Sequence, residues 1–136
     1  MKATLFTDGG ARGNPGPAGI GYVLTLENGS TIEKNAYIGE ATNNQAEYKA
    51  LVAGLELAKS EGVTELSCFL DSELVVKQMQ GKYKVKNADL KLLLDRARAI
   101  AVGIGEVSYG HVRREKNKIA DRLVNEAIDA KSNRIE

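Results

Sequence analysis

The sequence predicts an α/β fold: a mixed sheet of about five strands with helices packed on its faces, in the order βββαβααβα. Three observations predict it. Asn28-Gly29 sits between two runs of alternating apolar residues, the strongest short signal for an antiparallel hairpin. Beyond residue 42 the apolar period changes to that of a helix. Strands and helices then alternate, and strand-helix-strand segments need crossover connections, which favour parallel pairing.

Taken in order, residues 2–8 (KATLFTD) read as a first strand that ends at a turn. Six of the 14 glycines and both prolines fall within residues 9–21, a density that predicts a rigid, specified turn rather than a linker. GYVLTLE and STIEKNAYIG flank Asn28-Gly29 and complete three antiparallel strands. Residues 43–60 have helical period, with Leu51, Leu55 and Ala58 on one ridge and Gly62 placed as a helix terminator. ELSCFL (65–70) is a fourth strand, and Ser72 can cap a short helix running to about Gln80. Gly81 and KYKVKN form a basic loop. Residues 88–101 are an amphipathic helix studded with lysine and arginine. Glu106 to Arg113 form a fifth strand, and residues 117–130 a last helix with Ile119, Leu123, Ala127 and Ala130 spaced for one face.

The length suits one domain, residues 1–136. A lone Cys68 excludes an intrachain disulfide, and one cysteine with one histidine cannot build a structural zinc site. No apolar stretch follows Met1-Lys2-Ala3-Thr4-Leu5, and no run approaches the roughly 18 apolar residues of a span. Neither a signal peptide nor a membrane contact is therefore expected; the expected location is cytoplasmic and the expected state a monomer.

Charge is unevenly distributed. Residues 1–76 carry net −5 and residues 77–118 net +7, so a near-neutral chain holds a local basic region. Such a region suits a polyanion, or is simply a solvated helix and loop.

Four carboxylates stand in unusual places. Glu47 lies one helical turn before Leu51, on the apolar ridge. Burying an unpaired carboxylate costs several kcal/mol, so a basic side chain or a metal is expected beside it. The ordinary alternative is an acid favoured by the helix dipole, worth roughly 0.3–1 kcal/mol. Asp8 closes the first strand, Asp71 closes the fourth, and Asp121 lies in the first turn of the last helix. Each has an ordinary reading as a turn former or cap. Together they occupy strand ends and helix starts, which converge on one ligand-binding edge in open α/β sheets. Carboxylates so gathered repel unless divalent ions sit among them. Lys82, Lys84, Lys86, Lys91, Arg96 and Arg98 would then flank a phosphodiester backbone.

Four segments in this order carry a resemblance: TDGGARGNPGPAGIGYVL, TNNQAEYKALVAGL, LDSELVVKQMQGKYKVKN and REKNKIADRLVNEA. Jointly they resemble ribonuclease HI over essentially the whole chain. The resemblance implies a ribonuclease H-like fold, with a five-stranded sheet in order 3-2-1-4-5 and helices on both sides. It implies that Asp8, Glu47, Asp71 and Asp121 are both catalytic and metal-binding, holding two Mg²⁺ or Mn²⁺ ions about 3.5–4 Å apart, with Asp8 touching both. The implied activity is endonucleolytic hydrolysis of the RNA strand of an RNA/DNA hybrid, leaving 3′-hydroxyl and 5′-phosphate ends. By the same resemblance, Asn14, Asn43, Asn44, Gln45 and exposed backbone at Gly9 and Gly10 meet the hybrid's minor groove and its 2′-hydroxyls. Thr42 and Asn87 match a pocket for a phosphate of the DNA strand. Arg114, Glu115 and Asn117 sit in the loop before Asp121, and Arg114 is the candidate substrate contact. Double-stranded RNA stays open as a second substrate.

The chain also departs from well-studied bacterial members. They insert a helix and a basic protrusion where this chain has only Gln78 to Lys84, and this chain has no tryptophan. It therefore resembles the compact, archaeal-like branch, with Lys82, Lys84 and Lys86 as a partial basic substitute. His111 has two readings. Its spacing from Asp121 matches an auxiliary histidine of the family, whereas EVSYGHVRR as one continuous strand would leave it packed. Two other functions compete. A related polynucleotidyl transferase acting on DNA shares fold and metals, but GNPGPAG and TNNQAE speak against it. A non-catalytic hybrid-binding domain would keep the basic region and usually lose one of the four carboxylates.

Overall fold

A computed structural model describes residues 1–133; the last three residues of the expected domain lie outside the described residues. The sheet comprises β1 (Lys2–Ala11), β2 (Gly16–Leu26), β3 (Thr31–Ala41), β4 (Glu65–Leu70) and β5 (Glu106–His111), in order β3-β2-β1-β4-β5. The two hairpin ladders, β1–β2 and β2–β3, are antiparallel; β4 pairs with β1 and β5 in parallel. The helices are α1 (Asn43–Ser60), α2 (Glu73–Met79), α3 (Ala88–Ile104) and α4 (Lys118–Asn133), with a single 3₁₀ turn at Arg114–Lys116.

Helices α1 and α3 cover one face and α4 the other. On β1, Leu5 and Thr7 are fully buried, facing Gly54 of α1. Tyr48, Leu51 and Leu55 of α1 pack into that core with Leu24, Leu66 and Leu70. Each leucine so buried contributes about 1.5–3 kcal/mol of transfer free energy. No described helix is long and apolar enough to cross a membrane.

Cap chemistry fixes where the helices start. Thr42 and Gln45 form a reciprocal capping box at α1, while Ser72 caps α2 and Asn87 caps α3. Gly62, at φ +80°, follows the end of α1 as its position in the sequence implies.

The glycine-rich segment differs from expectation. β1 does not stop at Asp8 but runs to Ala11, with Gly9 opposite Ile20 and Gly10 opposite Gly19, so only residues 12–15 connect the strands. Gly9, Gly19 and Gly21 make room for helices, while Gly13 and Gly16 serve the short turn. A Cβ on Gly9 would collide with the Ala46 carbonyl of α1, and one on Gly21 would lie 2.5 Å from the Ala120 carbonyl of α4. The exposed backbone expected at Gly9 and Gly10 is likewise corrected: Gly9 is buried beneath α1 and Gly10 half-buried.

Three smaller differences also have local causes. β5 ends at His111 rather than Arg113, although the Val112 amide still reaches the Leu70 carbonyl. α3 continues to Ile104, which is buried against the core. The buried stripe of α4 is Ala120, Leu123, Val124, Ala127 and Ile128; Ile119 and Ala130 lie outside it and are exposed. The stripe is displaced because α4 seats on Gly19 and Gly21 of β2.

Candidate active site

Asp8 lies inside β1, Asp71 immediately follows β4, and Glu47 projects from α1 in its second turn. The absent side chain at Gly9 lets α1 descend until Glu47 reaches Asp8. Carboxylate oxygens of Asp8, Glu47 and Asp71 lie within 4.8 Å of one another. Asp121, in the first turn of α4, is outside that trio but lines the same cleft, which has a volume of about 490 Å³.

Burial makes this cluster electrostatically costly. Asp8 is only 7% exposed and Glu47 only 8%. Desolvation, with repulsion from Asp71 and Asp121, pushes the Asp8 carboxyl up to about 7. Glu47 is pushed well above the usual carboxylate range, first by burial and then by the charges of Asp8 and Asp71. Burial also raises Asp71, opposed by the Asn117 hydrogen bond and the nearby Arg114 and His111. The single ion pair to any of the four among the described residues is Arg114 Nη2 to Asp121 Oδ1, at 3.8 Å and largely solvated. Glu47 Oε2 is buried without a hydrogen-bond partner. Hard oxygens, excess negative charge and an orphaned acceptor together fit a divalent cation.

The other expected residues divide into three groups. Gly9, Gly10, Asn43, Asn44 and Arg114 line the cleft with the acids. Asn14, Thr42, Gln45 and Asn87 do not line it and have structural work. Asn14 Oδ1 accepts from the Asn43 amide at 3.0 Å, and Asn43 Oδ1 accepts from the Ala11 amide at 2.9 Å. These bonds lash the β1–β2 connection to the start of α1. Thr42, Gln45 and Asn87 serve in helix caps. Lys82, Lys84 and Lys86 are exposed on the loop between α2 and α3, away from the cleft lining, and Glu115 is exposed on the 3₁₀ turn.

His111 is not packed, contrary to the strand-based reading. It is exposed at the end of edge strand β5, with Nε2 3.2 Å from the Asp71 carbonyl oxygen. β5 ends at His111, and there the imidazole turns to the backbone of Asp71 beside the acid cluster.

Two residues were not anticipated as parts of the site. Arg12 lines the cleft and is held by Asp129 at 2.7 Å and Asn125 at 3.3 Å, both on α4. Asn117, expected only as a loop residue, is 2% exposed. Its Nδ2 donates to the Thr7 carbonyl at 2.8 Å and to Asp71 Oδ2 at 3.4 Å. Its sequence signal was its place four residues before Asp121; its burial arises only when the sheet and α4 meet.

A 3-2-1-4-5 mixed sheet with an acidic cleft of this design defines a ribonuclease H-like protein. A family model described as reverse transcriptase-like matches residues 6–127. Ribonuclease H of Pseudomonas syringae pv. syringae is 35% identical over 141 aligned residues, covering 92% of this chain and 91% of the relative. The chain belongs to the ribonuclease HI family. Ribonuclease HI of the archaeon Halobacterium salinarum is 45% identical over 94% of this chain and 65% of the relative. The solved ribonuclease H1 structure from that organism matches with TM-score 0.92 and 43% identity, over 96% of this chain and 99% of the other. A ribonuclease H1 of compost origin, solved in complex with an RNA/DNA hybrid, matches with TM-score 0.90 and 50% identity, over 95% and 98%. The chain spans 36% of the length of mycobacterial relatives that it matches at 48% identity.

Proposed function

We propose that this chain is a metal-dependent endoribonuclease that hydrolyses the RNA strand of RNA/DNA hybrids. The observation that carries this reading is the trio of buried Asp8 and Glu47 with half-buried Asp71, their oxygens within 4.8 Å of one another on the floor of an open cleft. A relative 50% identical in sequence, solved with an RNA/DNA hybrid, supports the substrate class.

Asp8, Glu47, Asp71 and Asp121 would hold two Mg²⁺ or Mn²⁺ ions, whose hard-oxygen preference suits four carboxylates. When bound, such a pair lowers the pKa of the attacking water and stabilises the leaving 3′ oxygen, giving 3′-hydroxyl and 5′-phosphate ends. The chain's own residues do the rest. The four carboxylates, mounted on β1, α1, the end of β4 and α4, fix the cleft floor before substrate arrives. Asn43 and Asn44 stand at the cleft wall, where small amides reach 2′-hydroxyls in a minor groove. Gly9 acts by leaving room for α1. Arg114, 82% exposed at the rim, can exchange its long ion pair with Asp121 for one with a phosphate. His111 can take or give a proton at the edge of the site through its imidazole nitrogens. Lys82, Lys84 and Lys86 attract flanking phosphates at longer range.

The test is a gel assay on end-labelled RNA as hybrid, as double-stranded RNA and as single strand, with Mg²⁺, Mn²⁺ or EDTA. Hybrid cleavage that stops in EDTA, and that Asp8→Asn abolishes while still binding hybrid, is the expected result. The double-stranded lane decides substrate breadth. Intact RNA in every lane, with hybrid bound, would instead make the chain a hybrid-binding domain. In a parallel set of lanes with the DNA strand end-labelled, cleavage confined to DNA would make it a polynucleotidyl transferase, and intact DNA there is required for the hybrid-binding outcome.

A further inference from the structure

Asn117 is a polar residue at which three of the four acid-bearing segments meet. Its Nδ2 bridges the Thr7 carbonyl of β1, one residue before Asp8, and Oδ2 of Asp71. Its own carbonyl accepts the amide of Asp121 at 3.1 Å, as the first turn of α4 forms. The Thr7–Leu70 pair is the last rung of the β1–β4 ladder. Asn117 therefore supplies a donor just where strand pairing stops and the carboxylates begin.

The arrangement carries a cost that packing alone does not explain. Asn117 is 2% exposed, yet its Oδ1 has no hydrogen-bond partner. A buried amide chosen only to hold a loop would be expected to satisfy both ends. Here only the donor end is used, and one of its two acceptors is an acid-cluster carboxylate. Donation to Asp71 favours that group's charged form, opposing the effect of burial.

Resting on the metal-dependent reading above, we propose that Asn117 is a positioning residue for Asp71. It holds one carboxylate oxygen turned inward toward β1 and leaves the other directed at the cation site. It acts through Asp71 and need not touch substrate. Partners that orient a metal ligand in this way typically govern about 10- to 100-fold in metal affinity or turnover.

The test is a double-mutant cycle on the full chain, read by calorimetric Mn²⁺ binding and by kcat and KM on a hybrid. Asn117→Leu keeps the branching and volume and removes the donor; Asp71→Asn removes the ligand charge. The expected result for Asn117→Leu is about tenfold weaker Mn²⁺ binding and about tenfold lower kcat, with KM for hybrid unchanged. The double variant should bind Mn²⁺ no worse than Asp71→Asn alone, because Asn117 works only through Asp71. Asn117→Ala, which adds no bulk, goes through the same cycle should the leucine variant fail to fold. Wild-type Mn²⁺ affinity in a folded Asn117 variant, or losses that add in full, would overturn the proposal. A wild-type chain that neither binds Mn²⁺ nor cuts hybrid would overturn the reading on which it rests, so the two failures are distinguishable.

Discussion

Neutralising Asp8 should stabilise the protein in the absence of metal, and the gain should vanish in acid. In the folded chain the Asp8 carboxyl titrates near 7, against 3.8 when unperturbed. Between those values the folded state holds a proton that the unfolded state has released. Stability therefore falls as pH rises through that window, and the loss is complete above about pH 7. The full cost is about 4 kcal/mol, at 1.36 kcal/mol per pH unit. An asparagine amide still has to be desolvated, so Asp8→Asn should recover about half, or ~2 kcal/mol. Unfolding entropy near 2.1 cal/mol/K per residue converts that to a rise in Tm of about 7 °C at pH 8. At pH 5 only about 1.6 kcal/mol of the wild-type cost remains, which the pH-independent amide cost offsets, so the rise should disappear. The assay is thermal unfolding by circular dichroism in EDTA at both pH values. Saturating Mg²⁺ should narrow or reverse the difference, since the wild type gains binding energy that the variant loses. An unchanged Tm at pH 8, or a gain equal at both pH values, would refute the electrostatic argument.

Three further outcomes are expected. His111→Ala should lower kcat on hybrid by tenfold or more with no change in Tm, because the ring is exposed and meets the site only through the Asp71 carbonyl; steady-state kinetics with a melting curve check this, and an unchanged kcat removes the auxiliary role. Gly9→Ala should destabilise by about 1–3 kcal/mol in urea unfolding, since its methyl group would drive α1 off β1; a neutral effect would mean the close approach is not needed. Replacing Lys82, Lys84 and Lys86 together by alanine should flatten the salt dependence of hybrid binding, by about 0.7–0.9 in log–log slope for each phosphate that is no longer neutralised. A parallel line would place the loop outside the interface.

Much of the fold was legible because its signals are local. Asn28-Gly29 marks one hairpin, and the change of period at residue 43 marks the first helix. Glu47 was legible as a misfit, a charge on an apolar ridge, and it is indeed buried. What stayed hidden depends on elements distant in sequence. Gly9 to Gly21 look like a turn in any short window; only α1 and α4, arriving on opposite faces, turn them into paired strand. Asn117 reads as a loop amide until β1, Asp71 and α4 enclose it. Arg12 reads as a turn cation until Asp129, far along the chain, meets it. His111 depended on where β5 ends, which sets its ring beside the backbone of Asp71.

The paired asparagine bonds, Asn14 to Asn43 and Asn43 to Ala11, pin the β1–β2 connection to the start of α1 and so brace one wall of the cleft. A rigid rail of this kind spends little conformational entropy on docking a duplex. The burden of fitting then shifts to the nucleic acid. Sequences whose base steps roll and widen easily would seat at lower cost than stiff ones, at positions no side chain reads. Under the proposed activity, cleavage along a long hybrid should accordingly be uneven, following the local compliance of the duplex more closely than the identity of any base.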